Sequence, residues 1–138
     1  MPNRWSFICP TGWHVPSSAE WSQLVEYVGS QSSYSCGGNS VNVAKALAST
    51  TGWNGSGNSC AIGNNPGSNN LTGFSALPAG NSWAQGYNNF GDSALFWSTS
   101  DHEIICAYYR TLASSQASTF QFFMMRSNGL SVRCLLDE

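Results

Sequence analysis

Trp13-His14-Val15-Pro16-Ser17-Ser18-Ala19-Glu20-Trp21-Ser22-Gln23-Leu24-Val25-Glu26-Tyr27-Val28-Gly29 is the clearest helical pattern in the chain, and the fold is read outward from it. Ser17 and Glu20 have the spacing of a capping box, in which hydroxyl and carboxylate each accept a backbone amide at the helix start. Trp21, Leu24, Val25 and Val28 recur at helical period, and Gly29 is expected to close the helix. Asn39 or Ser40 can cap a second helix reaching about Ser49, with Val43, Ala44 and Leu47 on one face.

Before the first helix, residues 5–9 read as an opening strand and Pro10-Thr11-Gly12 as a turn. Residues 52–72 form a long Gly/Asn/Ser loop. A loop of that length inside a domain is functional or tied down, and Cys60 points to the second. From Phe74 onward the pattern is strand-like: Phe74 to Gly80, Leu95 to Ser100, Ile105 to Leu112, Thr119 to Met125 and Leu130 to Leu136. Segregated helices beside antiparallel strands define an α+β domain. The length of 138 residues suits one such domain over residues 1–138.

Composition narrows the class. Charged residues are 9% and aromatics 13%, with six Trp, which is not the signature of disorder. Polarity comes from Ser, Asn, Thr and Gly, which favour turns and hydrogen-bonded loops. The net charge is -2, and Lys45, Arg4, Arg110, Arg126 and Arg133 form no basic stripe, so no nucleic-acid partner is expected. No apolar run approaches the roughly 20 residues of a membrane span. Met1 to Arg4 runs into Trp5-Ser6-Phe7-Ile8 without a leader pattern, so the sequence reads as a fragment or as a mature domain with an added Met, without signal or lipoprotein anchor. The oligomeric state is not legible.

The cysteines are Cys9, Cys36, Cys60, Cys106 and Cys134, with no metal-type spacing. The pairing expected is Cys9–Cys134, tying the two ends together, and Cys36–Cys60, leaving Cys106 over. The chain-entropy model gives the longer loop about 4–5 kcal/mol and the shorter about 3–4 kcal/mol. Five buried reduced thiols are the alternative. A Ser/Asn-rich, charge-poor chain favours the disulfides and an extracellular or cell-surface setting.

Four segments carry a family resemblance: Cys9 to Trp21, Gly73-Phe74-Ser75-Ala76-Leu77-Pro78-Ala79-Gly80, Phe96-Trp97-Ser98-Thr99, and Gly129-Leu130-Ser131-Val132-Arg133-Cys134. They resemble the Fibrobacter succinogenes major paralogous domain, with Leu130 where that family usually has Phe. The resemblance implies the formylglycine-generating-enzyme branch of the C-type-lectin-like fold: two helices packed on antiparallel sheets, with long irregular loops. The end of the chain also resembles the variable region of target proteins of diversity-generating retroelements, at about residues 97–134. That resemblance implies a hypervariable recognition surface on a bacterial or phage protein.

Catalytic and metal constellations are thin. His14, in a turn motif, reads as a hydrogen-bonded structural histidine. His102 and Cys106 stand four apart, but two ligands make a poor zinc site, and nothing nearby activates the pair as a nucleophile. Formylglycine-generating enzymes use a C-terminal cysteine pair, whereas this chain has only Cys134 in the closing motif. Glu20 reads as a helix cap rather than half of a catalytic carboxylate pair. The Glu-Pro-Asn, Gln-Pro-Asp and Trp-Asn-Asp motifs of calcium-dependent sugar binding do not occur. No cofactor, metal or catalytic residue is therefore expected.

The strand at 120–125 places Phe120, Phe122 and Met124 on one face and Gln121, Phe123 and Met125 on the other. Either both faces are buried, or one is an exposed patch of the kind adaptable interfaces use. The expected ligand-binding residues are His102, Glu103, Ile104, Ile105, Tyr109, Thr111, Ser114, Ser115, Gln116, Ser118, Gln121, Phe123, Met125 and Ser127. The partner is an unidentified protein or glycan. The alternative is a structural or adhesive domain of a bacterial surface lipoprotein or fimbria, and an enzyme is the reading least supported.

Overall fold

The computed structural model describes residues 4–138, so Met1–Asn3, part of the stretch read for a leader, lie outside the described residues. Helix α1 (Ser18–Ser30) begins as its sequence dictates. The Ser17 side chain accepts the Glu20 amide at 3.1 Å, and the Glu20 carboxylate accepts the Ser17 amide at 3.0 Å. The helix does not stop at Gly29. It runs one residue further and is capped at Gln31. Gly29 instead permits close approach, because a Cβ there would lie 2.2 Å from the Ser40 carbonyl oxygen.

The second helix is shorter than its pattern. Helix α2 (Ala44–Leu47) starts after Val43, not at Asn39 or Ser40. The preceding residues are used in turns: Gly37 and Gly38 take positive φ, and the Cys36 amide donates to Asn42 O at 3.0 Å. The helix ends where Ala48 becomes extended and bridges to Ala76.

Strand β1 (Trp13–His14) pairs antiparallel with β7 (Leu135–Leu136). Strands β2 (Asn81–Trp83) and β3 (Gly86–Asn88) form a hairpin. Strands β4 (Ser93–His102), β5 (Cys106–Ala113) and β6 (Phe120–Met125) form an antiparallel sheet in that order. The chain is thus an α+β domain with few helices and antiparallel sheets.

Residues 5–9 are not a strand but a run of turns, in which the Ile8 amide donates to Trp5 O at 3.3 Å. The reason is tertiary. One edge of β4 is taken by β5, and the other by Gly80 and Ser131 through isolated bridges to Ala94 and Phe96. Residues 74–80 and 130–134 contribute such bridges rather than continuous strands.

The core lies between α1, α2 and one face of the sheet, where Trp21, Val28, Val43, Leu47, Ile62, Phe96 and Leu112 are buried together. Trp21, Phe74 and Phe96 pack with ring centroids 5.3–6.1 Å apart. Arg133 lies 4.1 Å over the Phe74 ring and donates to Phe74 O at 2.9 Å.

Both expected disulfides are present. Cys9–Cys134 joins segments 125 residues apart, and Cys36–Cys60 ties down the long loop. Cys106 is free and buried. The loop has two further anchors. Lys45 Nζ donates to the carbonyls of Ala61 (3.3 Å) and Asn64 (2.5 Å). The buried Asn69 amide donates to Ser49 O and Ile62 O. No helix among the described residues is long and apolar enough to cross a membrane.

Candidate recognition surface

The segment expected to bind ligand divides among three environments. The first is the hairpin end between β4 and β5. β4 runs past the expected Ser100 to take in Asp101 and His102, and Glu103-Ile104-Ile105 make a tight turn. Glu103 takes φ 60°, which reverses the chain within three residues. Ile104 is 88% and Ile105 58% exposed. Arg126 holds this turn from the end of β6. It donates to Asp101 Oδ1 at 3.0 Å, to Cys106 O at 2.6 Å and to Ile104 O, and its own amide donates to Ile105 O at 2.9 Å.

The register extends that apolar end along β6. Met125 lies opposite Cys106 and Phe123 opposite Tyr108. Phe123 is 50% and Met125 41% exposed. His102 stacks on Phe123, and its Nδ1 lies 2.9 Å from the Tyr108 hydroxyl.

The second environment is the opposite face of the sheet. Trp5, Trp97, Tyr109, Phe122 and Phe120 make a ladder of rings with successive centroids 6.1–6.4 Å apart. Within the ladder Trp97 is buried and Phe122 is exposed. Tyr109 and Thr111 face a groove of about 410 Å³ whose other wall includes Asn81 and Asn89 beside the β2–β3 hairpin. Burial pushes the Tyr109 phenol above its usual pKa. The two faces of β6 therefore both carry partly exposed apolar side chains.

The third environment is the 114–118 loop, which is packed more than displayed. Ser114 is buried, so it is not presented to a ligand. Its amide donates to Asp92 O, its hydroxyl to Asp92 Oδ1, and its carbonyl accepts the Gly63 amide. Ser115 and Gln116 are exposed, but their carbonyls accept from Asn58 Nδ2 and the Ile62 amide. Ser118 lines a cavity beside α1. Gln121 and Ser127 are exposed.

The expected residues thus converge only in part: His102–Ile105 with Phe123 and Met125, and separately Tyr109 with Thr111. The sequence reading passed over Phe122 and the supporting Arg126. Strict alternation along β6 is the signal that marks Phe122. Nothing local marks Arg126, whose partners lie about twenty residues earlier.

His14 is hydrogen-bonded at both ring nitrogens, Nε2 to Glu20 at 2.9 Å and Nδ1 to Asp137 at 2.5 Å. The Glu20 and Asp137 hydrogen bonds raise its pKa above 6.5. Burial alone would raise the Glu20 carboxyl. The hydrogen bonds from the Ser17 amide and His14 outweigh it and hold that carboxyl below 4.5. Among the described residues no group of three or more His, Cys, Asp or Glu could hold a metal ion.

An α+β domain with a pinned, apolar-tipped hairpin is the class the geometry defines. The Fibrobacter succinogenes major domain matches residues 4–135, and the chain belongs to that family. No curated protein and no solved structure matches it.

Proposed function

We propose that this domain is a recognition module that binds a protein or glycan ligand through the β4–β5 hairpin end and the adjoining surface of β6. The carrying observation is the exposure of Ile104 and Ile105 on a turn that Arg126 fixes by four hydrogen bonds. Large apolar side chains held in water cost solvation, and a fixed frame reduces the ordering cost of burying them against a partner. Phe123 and Met125 continue the patch with the aromatic and thioether chemistry that adaptable interfaces use.

In this reading the fold is C-type-lectin-like, and residues 97–134 are the variable-type region of a diversity-generating retroelement target. The buried motif residues Trp21, Phe96 and Trp97 serve as scaffold. Two disulfides favour an oxidising, extracellular setting. The domain is a binder, not an enzyme. His102 is engaged by Tyr108 and Phe123, and Cys106 is buried.

The test is binding to arrays of glycans and extracellular proteins by the parent and by an Ile104→Ser/Ile105→Ser/Phe123→Ser variant of equal melting temperature. Binding by the parent that the variant loses supports the reading. Binders retained by the variant move the site elsewhere. The second reading, a structural or adhesive surface domain, is favoured by Tyr87 and Phe90, 91% and 80% exposed near the β2–β3 hairpin and available to pack on neighbouring domains.

A further inference from the structure

A different part of the molecule carries an anion-binding signature. Arg110 lies on the face of β5 turned toward α1, opposite Phe96 of β4 and Gln121 of β6. Its guanidinium donates to Ser22 Oγ at 2.9 Å and, at 3.5 Å, to Thr119 Oγ1. Its Nε is buried and has no hydrogen-bond partner. No carboxylate pairs with it among the described residues, whose ion pairs belong to His14, His102 and Arg126.

A partly buried cation supported by two neutral hydroxyls bears a desolvation cost, and arginine does not escape it by losing its proton at neutral pH. Burial lowers its pKa below the usual arginine value without changing that conclusion. Arg110 also lines a cavity of about 650 Å³ between α1 and residues 118–119. That volume falls within the roughly 300–1,000 Å³ of small-molecule sites. Val25 and Val41 supply apolar wall, and Ser118 and Thr119 supply hydroxyls. Glu26, the one acid on the wall, is exposed.

We propose that this cavity binds a small monocarboxylate, with Arg110 receiving the carboxylate and Val25 and Val41 holding the apolar remainder. A planar carboxylate matches the guanidinium fork and gives the partly buried charge its counter-charge. Glu26 adds a negative charge at the rim, which disfavours sulfate and phosphate. The site is separate from the hairpin end, so it stands or falls independently of the recognition surface.

The experiment is an amide-resolved NMR titration of the whole chain with butyrate, and with butyramide as its uncharged counterpart. Butyrate is expected to give saturable shifts at Ser22, Gly29 and Thr119, and butyramide none. Arg110→Lys, which keeps charge but loses the fork, weakens butyrate by at least about tenfold. Glu26→Gln tightens it by roughly twofold to fivefold by removing like charge. The proposal is overturned by unsaturable butyrate shifts, by equal binding of butyramide, or by butyrate affinity unchanged in Arg110→Lys. Sulfate binding as tightly as butyrate overturns the carboxylate assignment. If Arg110→Lys fails to fold, the butyramide control and Glu26→Gln keep the question answerable.

Discussion

The imidazole of His102 lies face to face with the Phe123 ring, centroids 3.8 Å apart and planes 29° from parallel. The contact crosses from β4 to β6, with Tyr108 edge-on to both rings from the strand between them. It makes the exposed end of the sheet a small aromatic unit rather than a set of independent side chains. Phe123→Ala is expected to cost about 1–2 kcal/mol in urea unfolding, since a stacked pair contributes roughly 0.5–1.5 kcal/mol beyond area burial. A loss above about 3 kcal/mol, the range of a buried Phe, would place Phe123 in the core and remove it from the recognition surface.

Replacing Glu103, Ile104, Ile105, Gln116 and Gln121 together by Ala should leave a cooperative melt close to the parent's. Each is exposed, and exposed substitutions stay within about 0.5 kcal/mol each. Ser114→Ala alone should do more harm, about 1–2 kcal/mol, because it removes the part-buried hydrogen bond that the Ser114 hydroxyl donates to the Asp92 carboxylate. Thermal melts of the two variants separate display from packing.

Stability near the chain ends should depend on His14. Its folded pKa is raised above 6.5, so its contribution is fully present below that pH and is lost as pH rises through the raised value. Glu20 has a lowered pKa, so its contribution is present above 4.5 and is lost as pH falls through the lowered value. The pair acts at full strength between those limits. His14→Asn should flatten the decline of melting temperature on the alkaline side. An unchanged slope would show that other groups set it.

Removing Cys9–Cys134 by a double Ser replacement should cost about 4–5 kcal/mol, and removing Cys36–Cys60 about 3–4 kcal/mol, both measured by chemical denaturation. Mass spectrometry under non-reducing conditions should find Cys106 as the free thiol.

The legible parts of the fold are those whose causes are local. Ser17 and Glu20 state the start of α1 within four residues. The strands after Leu95 are marked by β-branched and aromatic runs, and β4, β5 and β6 lie within a few residues of their expected bounds. The failures have distant causes. Residues 5–9 carry strand-like chemistry, but both edges of β4 are already occupied. Gly29 looks like a stop and is a contact with Ser40, eleven positions on. The β2–β3 hairpin was invisible because its turn uses Ala84 at φ 57°, not the Asn-Gly type that advertises such turns. At the surface, Ile105 reads as the start of a strand, whereas it lies in the exposed turn before Cys106. Ser114 was misplaced because a serine in a polar loop gives no sign that Asp92 and Gly63 will enclose it.

The Cys9–Cys134 bond has a mechanical consequence. A pull applied between Arg4 and Asp137 passes through the covalent bridge and bypasses the chain between Cys9 and Cys134, a sequence separation of 125. The β4–β5–β6 sheet lies inside that closed loop, so tension at the ends does not peel its strands. Tension applied at the two ends therefore leaves the hairpin end in shape.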